Sequence, residues 1–579
     1  MKSTCHFIAT FHGIIWVFSF LLMQPITCKT MTVLPQNPLE YRVKGKIRLP
    51  YANVVEPFEA WYSATLGKSL ISYFSGMDTI FNFYQPQSHG VIWEICPIPR
   101  SDGIIKQTCL GRRGTRLKPI RAQPFIPNFQ QFHLEKQNIY YRHTFCDKWT
   151  WNKTILHKIN RYTFYTKHAT SIPIQLIMFG YNNLFHNHYD HYIIDYEEYE
   201  GYQPHQLRDE KIFQLPNNIP CRLLSSKRLY DHHYQQQRLI NSMQSLIPAE
   251  QTIDDPVDSL FHQFTHQYNK TYRYRDHHQH AKRQNYFRQH LRFIQSTNRK
   301  GLKYQLKLNH FADRSDKELW NFTQRHFKLN YGKLEHDVKN FITRYKLPFA
   351  LDLNQSIADH LDWRDRGAIS KIRDQGMCSS CWALSTTQAI ESALYIQTGE
   401  KVELSSQSLV DCSWPFGNQG CSGGFISHTL AWIIKQRGIP TKSSYGQYLG
   451  RNGYCHHHDL TTGAKLKGYS QIPQGNMKAL KVALAKVGPV TVSINTSPKS
   501  FLFYSSGVFY NDQCLGDYAH LDHNVLAIGY GRQHDQDYIL IKNSWSAYWG
   551  DHGYIKISTR NNNCGLATNA YYPILALNN

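Results

Sequence analysis

A chain of 579 residues has room for several domains, and with 41% hydrophobic and 14% aromatic residues it can fill real cores, which excludes a disordered protein. The net charge of +23 is uneven: residues 361–579 hold 12 Lys and 7 Arg against 11 Asp and 3 Glu, so +5 falls there and +18 before it. The basic first part has its charges scattered among aromatics instead of clustered, so a solvated surface is expected and nucleic acid is not.

In chain order, Lys2 and the apolar run from about Gly13 to Met23 form a leader too short to span a bilayer. It reads as a signal peptide over 1–28, cut near Cys28, and no later run is long enough for a membrane span. The product is therefore placed in the secretory pathway, in a lysosome or granule or outside the cell. Acceptor sequons at Asn152, Asn269, Asn321, Asn354 and Asn495 agree with that route. Without Cys5 and Cys28 eleven cysteines remain, an odd number for an oxidising compartment. Four of them, Cys96, Cys109, Cys146 and Cys221, lie upstream with all three pairings open, and seven lie in residues 361–579.

Residues 29–250 alternate as strands do. Phe58–Ser63 and Leu70–Phe74 flank a turn near Gly67–Lys68 and predict a hairpin, and Ile80–Tyr84, Arg161–Tyr165, Ile174–Phe179 and Tyr192–Tyr196 extend an antiparallel β domain. His186-Asn-His-Tyr-Asp-His191 has metal-ligand residue types, but with no second cluster at ligand spacing it reads as a surface loop, as do His232-His233, His277-His278 and His456–His458. No metal and no cofactor is expected. From about 257 to 345 the pattern turns helical and charged, and 346–360 links it to the last domain, 361–579.

That domain is organised around Gln375-Gly-Met-Cys-Ser-Ser-Cys-Trp382. Leu384, Ile390, Ala393, Leu394 and Tyr395 recur at helical spacing up to Gly399, which places Cys381 at a helix N-terminus, where a thiolate is favoured. His523, in Leu521-Asp-His-Asn524, can serve as its base, Asn543 in Lys542-Asn-Ser-Trp545 can fix the imidazole tautomer under Trp545, and Gln375 can donate to an oxyanion together with the Cys381 N–H. This set is built for acyl transfer. The thiolate attacks a carbonyl, and His523 protonates the leaving amine and then activates water.

With these residues and with Leu404-Ser-Ser-Gln407, Asp411-Cys412, Gly420-Cys-Ser-Gly-Gly424, Trp549-Gly550 and Cys564-Gly565 in the same order, the chain from Leu361 to about Pro573 resembles the papain-like, cathepsin L-type cysteine peptidases. The resemblance implies an α+β fold: a two-lobed peptidase with a helical lobe and a β-barrel lobe, after a helical inhibitory pro-segment and the antiparallel β domain. It implies disulfides Cys378–Cys421, Cys412–Cys455 and Cys514–Cys564, with Cys381 left as the thiol. It implies substrate contacts at Gly423 and Gly424, and a second pocket walled by Phe425, Ile426 and Asn524 over Asn569. Asn524 replaces a usual small residue, and Ser379 a usual Gly. An apolar or aromatic substrate residue in a smaller, more polar pocket is expected.

Gln279, Arg283, Phe287, His290, Ile294 and Asn298 match the inhibitory helix, with Gln279 and His290 departing from its usual Glu and Asn, and Asn309-His-Phe-Ala-Asp313 resembles its second motif. The whole order is similar to the 26/29 kDa cysteine proteinases, whose β part stays beside the enzyme as a second chain. The implied function is a secretory cysteine endopeptidase made as an inactive precursor, with protein substrates and its own pro-segment as partners. Of 31 histidines 23 precede residue 361, so release of the pro-segment in acid by charge repulsion is expected. A dipeptide-removing exopeptidase whose β domain blocks the cleft is one alternative. A secreted binding module with secondary protease activity is another.

Overall fold

The computed structural model describes residues 36–99, 105–204, 206–207, 211–224, 242–248, 256–273, 276–320, 336–456, 460–533 and 535–576. The leader, Asn321, His232-His233 and His457-His458 lie outside them.

Residues 40–223 build one twelve-stranded sheet. In Glu40–Leu49, Tyr41, Val43, Ile47 and Leu49 are buried while Lys44 and Lys46 are exposed, the alternation expected of a sheet with one face on a core. Two antiparallel meanders, Glu40–Arg113 and His133–Tyr202, join where Glu40–Leu49 pairs with Asn187–Tyr202. The connector between them turns inward. Phe125, Ile126, Phe129 and Phe132 enter the core, and Tyr41 Oη accepts from the Phe125 N–H at 2.8 Å while Tyr196 Oη donates to its carbonyl at 2.8 Å.

The hairpin Val54–Ser63 with Lys68–Tyr73 stands where the sequence predicts it. His186–His191 is not a loop as expected: Asn187–Tyr202 is a strand, and the rings of His188 and His191 pack on Phe179 at 4.3 and 5.3 Å. Among the described residues no group of three or more His, Cys, Asp or Glu is arranged to hold a metal ion. The upstream cysteines do not form two bridges. Cys109–Cys221 ties the edge strand down, while Cys96 and Cys146 are buried reduced thiols on strands of different meanders.

Helix α1, His277–Arg299, starts at Asp276, whose carboxylate accepts the Gln279 N–H, an N-cap. Its Phe287, Leu291 and Ile294 share one core with Phe311 and with Val492, Phe501, Ile541 and Trp549 of the last domain. Strand Tyr304–Leu306 extends that domain's sheet by pairing antiparallel with Tyr504–Phe509. The segment before the last domain is built into it, not laid loosely upon it.

Helix α2, Cys381–Thr398, is buried from Cys381 to Leu394 and ends at Gly399, whose φ of 79° suits a left-handed cap. It lies between a helical lobe cored by Trp382, Ile390, Leu409, Leu430 and Trp432 and a lobe of β strands that includes β1 (Val490–Ile494), β2 (His523–Gln533) and β3 (Asn569–Leu575). Bridges join Cys378 to Cys421, Cys412 to Cys455 and Cys514 to Cys564. No helix among the described residues is long and apolar enough to cross a membrane. Asn152, Asn269 and Asn354 are exposed. Asn495 is a correction to the expected acceptors: it is 1% exposed and its Nδ2 donates to the Leu515 carbonyl at 3.0 Å, so carbohydrate there would break the packing.

Candidate active site

Cys381 opens α2, and the first residues of β2 come up beside it: the Asn524 N–H points at Cys381 Sγ at 3.4 Å. The neighbouring His523 makes a 2.7 Å hydrogen bond from Nε2 to Asn543 Oδ1. An amide oxygen can only accept, so Nε2 carries the proton and Nδ1 is the basic nitrogen. Nδ1 is buried and has no hydrogen-bond partner among the described residues. Trp545, wholly buried, covers the imidazole at 4.6 Å and keeps water from the His523–Asn543 bond.

Ser544 is the residue that sequence reasoning missed. Its N–H donates to Asn543 Oδ1 at 2.8 Å, and its Oγ donates to Gln375 Oε1 at 2.9 Å. The Ser544 carbonyl also accepts the Gln375 N–H at 2.9 Å. One residue therefore orients both amides, and with its oxygen engaged Gln375 turns its NH2 end the other way. Its position between Asn543 and Trp545 was the available signal.

Burial opposes the helix terminus at this thiol. A helix N-terminus favours a thiolate by about 1 kcal/mol, whereas full burial acts over several pKa units. Burial pushes the Cys381 thiol up to about 12 against the pull of the Asn524 and Trp382 N–H groups, and it pushes His523 down to about 4 against its bond to Asn543. Burial in the intact chain thus disfavours the charged form of both groups. The preceding segment reaches the edge of this site: Phe311 packs on Trp545 at 5.7 Å, and Tyr268 meets Tyr548 at 5.3 Å.

Of the residues expected to contact substrate, Asn524 and Asn569 come together through Ser493, which the sequence did not flag. The three stand side by side on β2, β3 and β1. Ser493 Oγ donates to Asn524 Oδ1 at 2.6 Å, Asn569 Nδ2 donates to Ser493 Oγ at 2.8 Å, and Asn569 Oδ1 is buried with no partner among the described residues. Gly423, Gly424, Phe425 and Ile426 belong to the helical lobe, at the head of helix Ile426–Lys435. A Cβ on Gly424 would lie 2.6 Å from the Trp382 ring, so a side chain there would displace the residue next to Cys381. Ser379 is buried, its N–H on the Cys421 carbonyl at 3.0 Å.

Comparison with known proteins bears on this geometry. Residues 357–574 match the model for the papain family cysteine protease, and residues 261–319 match the cathepsin propeptide inhibitor domain. A cathepsin L-like peptidase of Aedes aegypti is 43% identical over 275 residues, covering 47% of this chain and 79% of that protein. The chain belongs to the papain family of cysteine proteases. Digestive cysteine proteinase 2 of Homarus americanus is 45% identical over 219 residues, 38% of this chain and 67% of that one. The solved digestive procathepsin L2 of Tenebrio molitor aligns with a TM-score of 0.50 at 30% identity, covering 55% of this chain and all of that one. This papain-family chain is thus a cathepsin L-like cysteine peptidase that carries its own inhibitory pro-segment. Both matched stretches begin after residue 260, so the twelve-stranded sheet is an extra domain ahead of them.

Proposed function

We propose that the protein is a secretory-pathway cysteine endopeptidase, in which Cys381 is the nucleophile, His523 the acid and base, Asn543 the group that orients His523, and Gln375 the oxyanion donor. The observation that carries this is the single chain of contacts from Sγ to Asn524, His523, Asn543, Ser544 and Gln375. The organisation proposed is a leader to residue 28, a β domain over 29–250, an inhibitory segment over 257–345, an activation linker over 346–360 and the peptidase over 361–579, destined for a lysosome or granule or the cell exterior. The charged contacts of the β domain run to α1, which supports an endopeptidase over a dipeptide-removing enzyme.

The test is hydrolysis of an amino-blocked dipeptidyl reporter by acid-matured protein. Thiol-dependent cleavage supports the reading, and cleavage only of peptides with a free N-terminus overturns it. Gln375→Ala is expected to lower kcat about 10²–10³-fold with little change in KM, because its NH2 is needed where charge develops. An effect confined to KM would remove Gln375 from the oxyanion site.

The pocket at Asn524, Ser493 and Asn569 is proposed to select the substrate residue before the cleaved one: apolar or aromatic, and better with a donor at its tip to satisfy Asn569 Oδ1. Replacing Ser493 and Asn569 by Ala is expected to shift the ratio of kcat/KM for Phe over Tyr at that position upward by about tenfold. Substrate profiling that shows strict preference for an acidic or a basic residue would reject this pocket.

A further inference from the structure

Helix α1 has two occupied faces. Phe287, Leu291 and Ile294 enter the core of the peptidase, while a second stripe, Arg288, Arg292 and Arg299, at spacings of four and seven, meets the β domain. Arg299 is 5% exposed; its Nε donates to Asp78 at 2.9 Å and its Nη1 to Glu56 at 2.8 Å, and both carboxylates are 1% exposed. Its guanidinium also lies over the Tyr73 ring at 5.1 Å. Two turns earlier, Arg292 forms a two-point pair with Asp190, 2.9 Å for the Nη2–Oδ2 contact. Phe293, between the stripes, packs against the cores of both domains. Glu56, Asp78 and Asp190 are spread over three strands of the sheet, so the site exists only once the β domain is folded.

We infer that the β domain is a receptor for the inhibitory helix: its acidic groups hold the arginine face of α1, and this second grip slows departure of the pro-segment from the peptidase. A buried carboxylate stripped of its cation is costly, so α1 cannot leave the peptidase cheaply while the β domain keeps it. The inference rests on residues 257–345 being the inhibitor. It gives the extra domain a partner of stated chemistry, a cationic helix of its own chain, and it places that partner away from the substrate cleft.

The experiment uses the full-length chain. Hydrogen exchange across 277–299 is followed in a Cys381→Ala background, which reads the clamp whether or not the enzyme is active, and the rate of self-maturation at one fixed acidic pH is followed in the active background. Arg299→Met is expected to raise both by at least about tenfold. Asp190→Ala, at the edge of the contact and safer for folding, is expected to raise both about threefold, and the exchanged pair Asp190→Arg with Arg292→Asp to return them toward wild type. The matured peptidase should keep its kcat/KM, because none of these residues lies in 361–579. If folded variants keep the wild-type exchange rate there is no clamp. If exchange rises while maturation does not, the β domain does not govern release, and the inference falls in either case.

Discussion

Cys381→Ala is expected to leave acid-matured protein with less than about one part in 10⁴ of the wild-type kcat/KM, because the remaining groups offer binding and an oxyanion donor but no nucleophile. The companion result concerns the intact precursor. With the thiol pushed up to about 12, the thiolate fraction at neutral pH falls to about 10⁻⁵, against a few per cent for an ordinary cysteine, so alkylation of Cys381 by iodoacetamide is expected to run about 10³-fold slower in the precursor than for a free thiol. Burial of Sγ adds to the delay. On the proposed mechanism, maturation is expected to open the cleft to water and to let a thiolate and an imidazolium support each other. A precursor whose Cys381 alkylates as fast as the mature enzyme would show that the pair is already ionised beneath the pro-segment, and inhibition would then be steric alone. Mass spectrometry of the labelled Cys381 peptide separates these outcomes from labelling at Cys96 or Cys146, the other reduced thiols.

Local signals carried much of this architecture. The apolar period after Cys381 and the helix-ending Gly399 mark α2, and alternation marks the strands of Phe58–Ser63 and Ile174–Phe179, because each pattern depends only on near neighbours. What escaped depends on distant ones. Ser544 reaches Gln375 across 169 residues and Asn569 reaches Ser493 across 76, and neither serine differs in sequence from a surface serine. Arg299 meets Glu56 across 243 residues, one arginine among many in a basic half. The proton balance at Cys381 escaped for another reason: the helix terminus is legible locally, whereas burial of the thiol is set by residues distant in the chain. The bridge Cys109–Cys221 depends on a parallel edge pairing that no periodicity announces.

Two imidazoles, the buried His290 and the half-buried His310, sharpen the expected acid release from a diffuse repulsion into a local one. His310 is pushed down to about 3 by burial and by the cations of Arg314 and Lys270, and its Nδ1 is buried without a partner among the described residues. Its ring lies against Phe311 at 3.9 Å and near Tyr548 and Tyr268 at 6.2 and 6.4 Å; Lys270 Nζ donates to its carbonyl and to Asp313. His290 is lowered by burial, with Nδ1 on the Ala312 carbonyl at 2.8 Å, Asp316 3.7 Å from Nε2, and Lys499 and Phe503 beside it. The docked segment holds both neutral, whereas a released segment has the ordinary value near 6.5. Stability of the docked state is therefore complete above about pH 6.5 and falls as pH drops below it, by up to ~1.4 kcal/mol per unit toward pH 3 for His310, with His290 acting in the same direction. A second loss follows below it. The Arg283 pair holds Glu318 down at about 2, so its contribution is present above about pH 4.5 and fades as pH falls further. His310→Phe, which keeps the aromatic contacts and removes the proton site, is expected to move the pH of half-maximal maturation down by about one unit and to slow maturation at pH 5 about tenfold. The maturation rate against pH, read from the disappearance of the full-length chain, checks this. A His310→Phe precursor with the wild-type pH profile would reject His310 as the trigger.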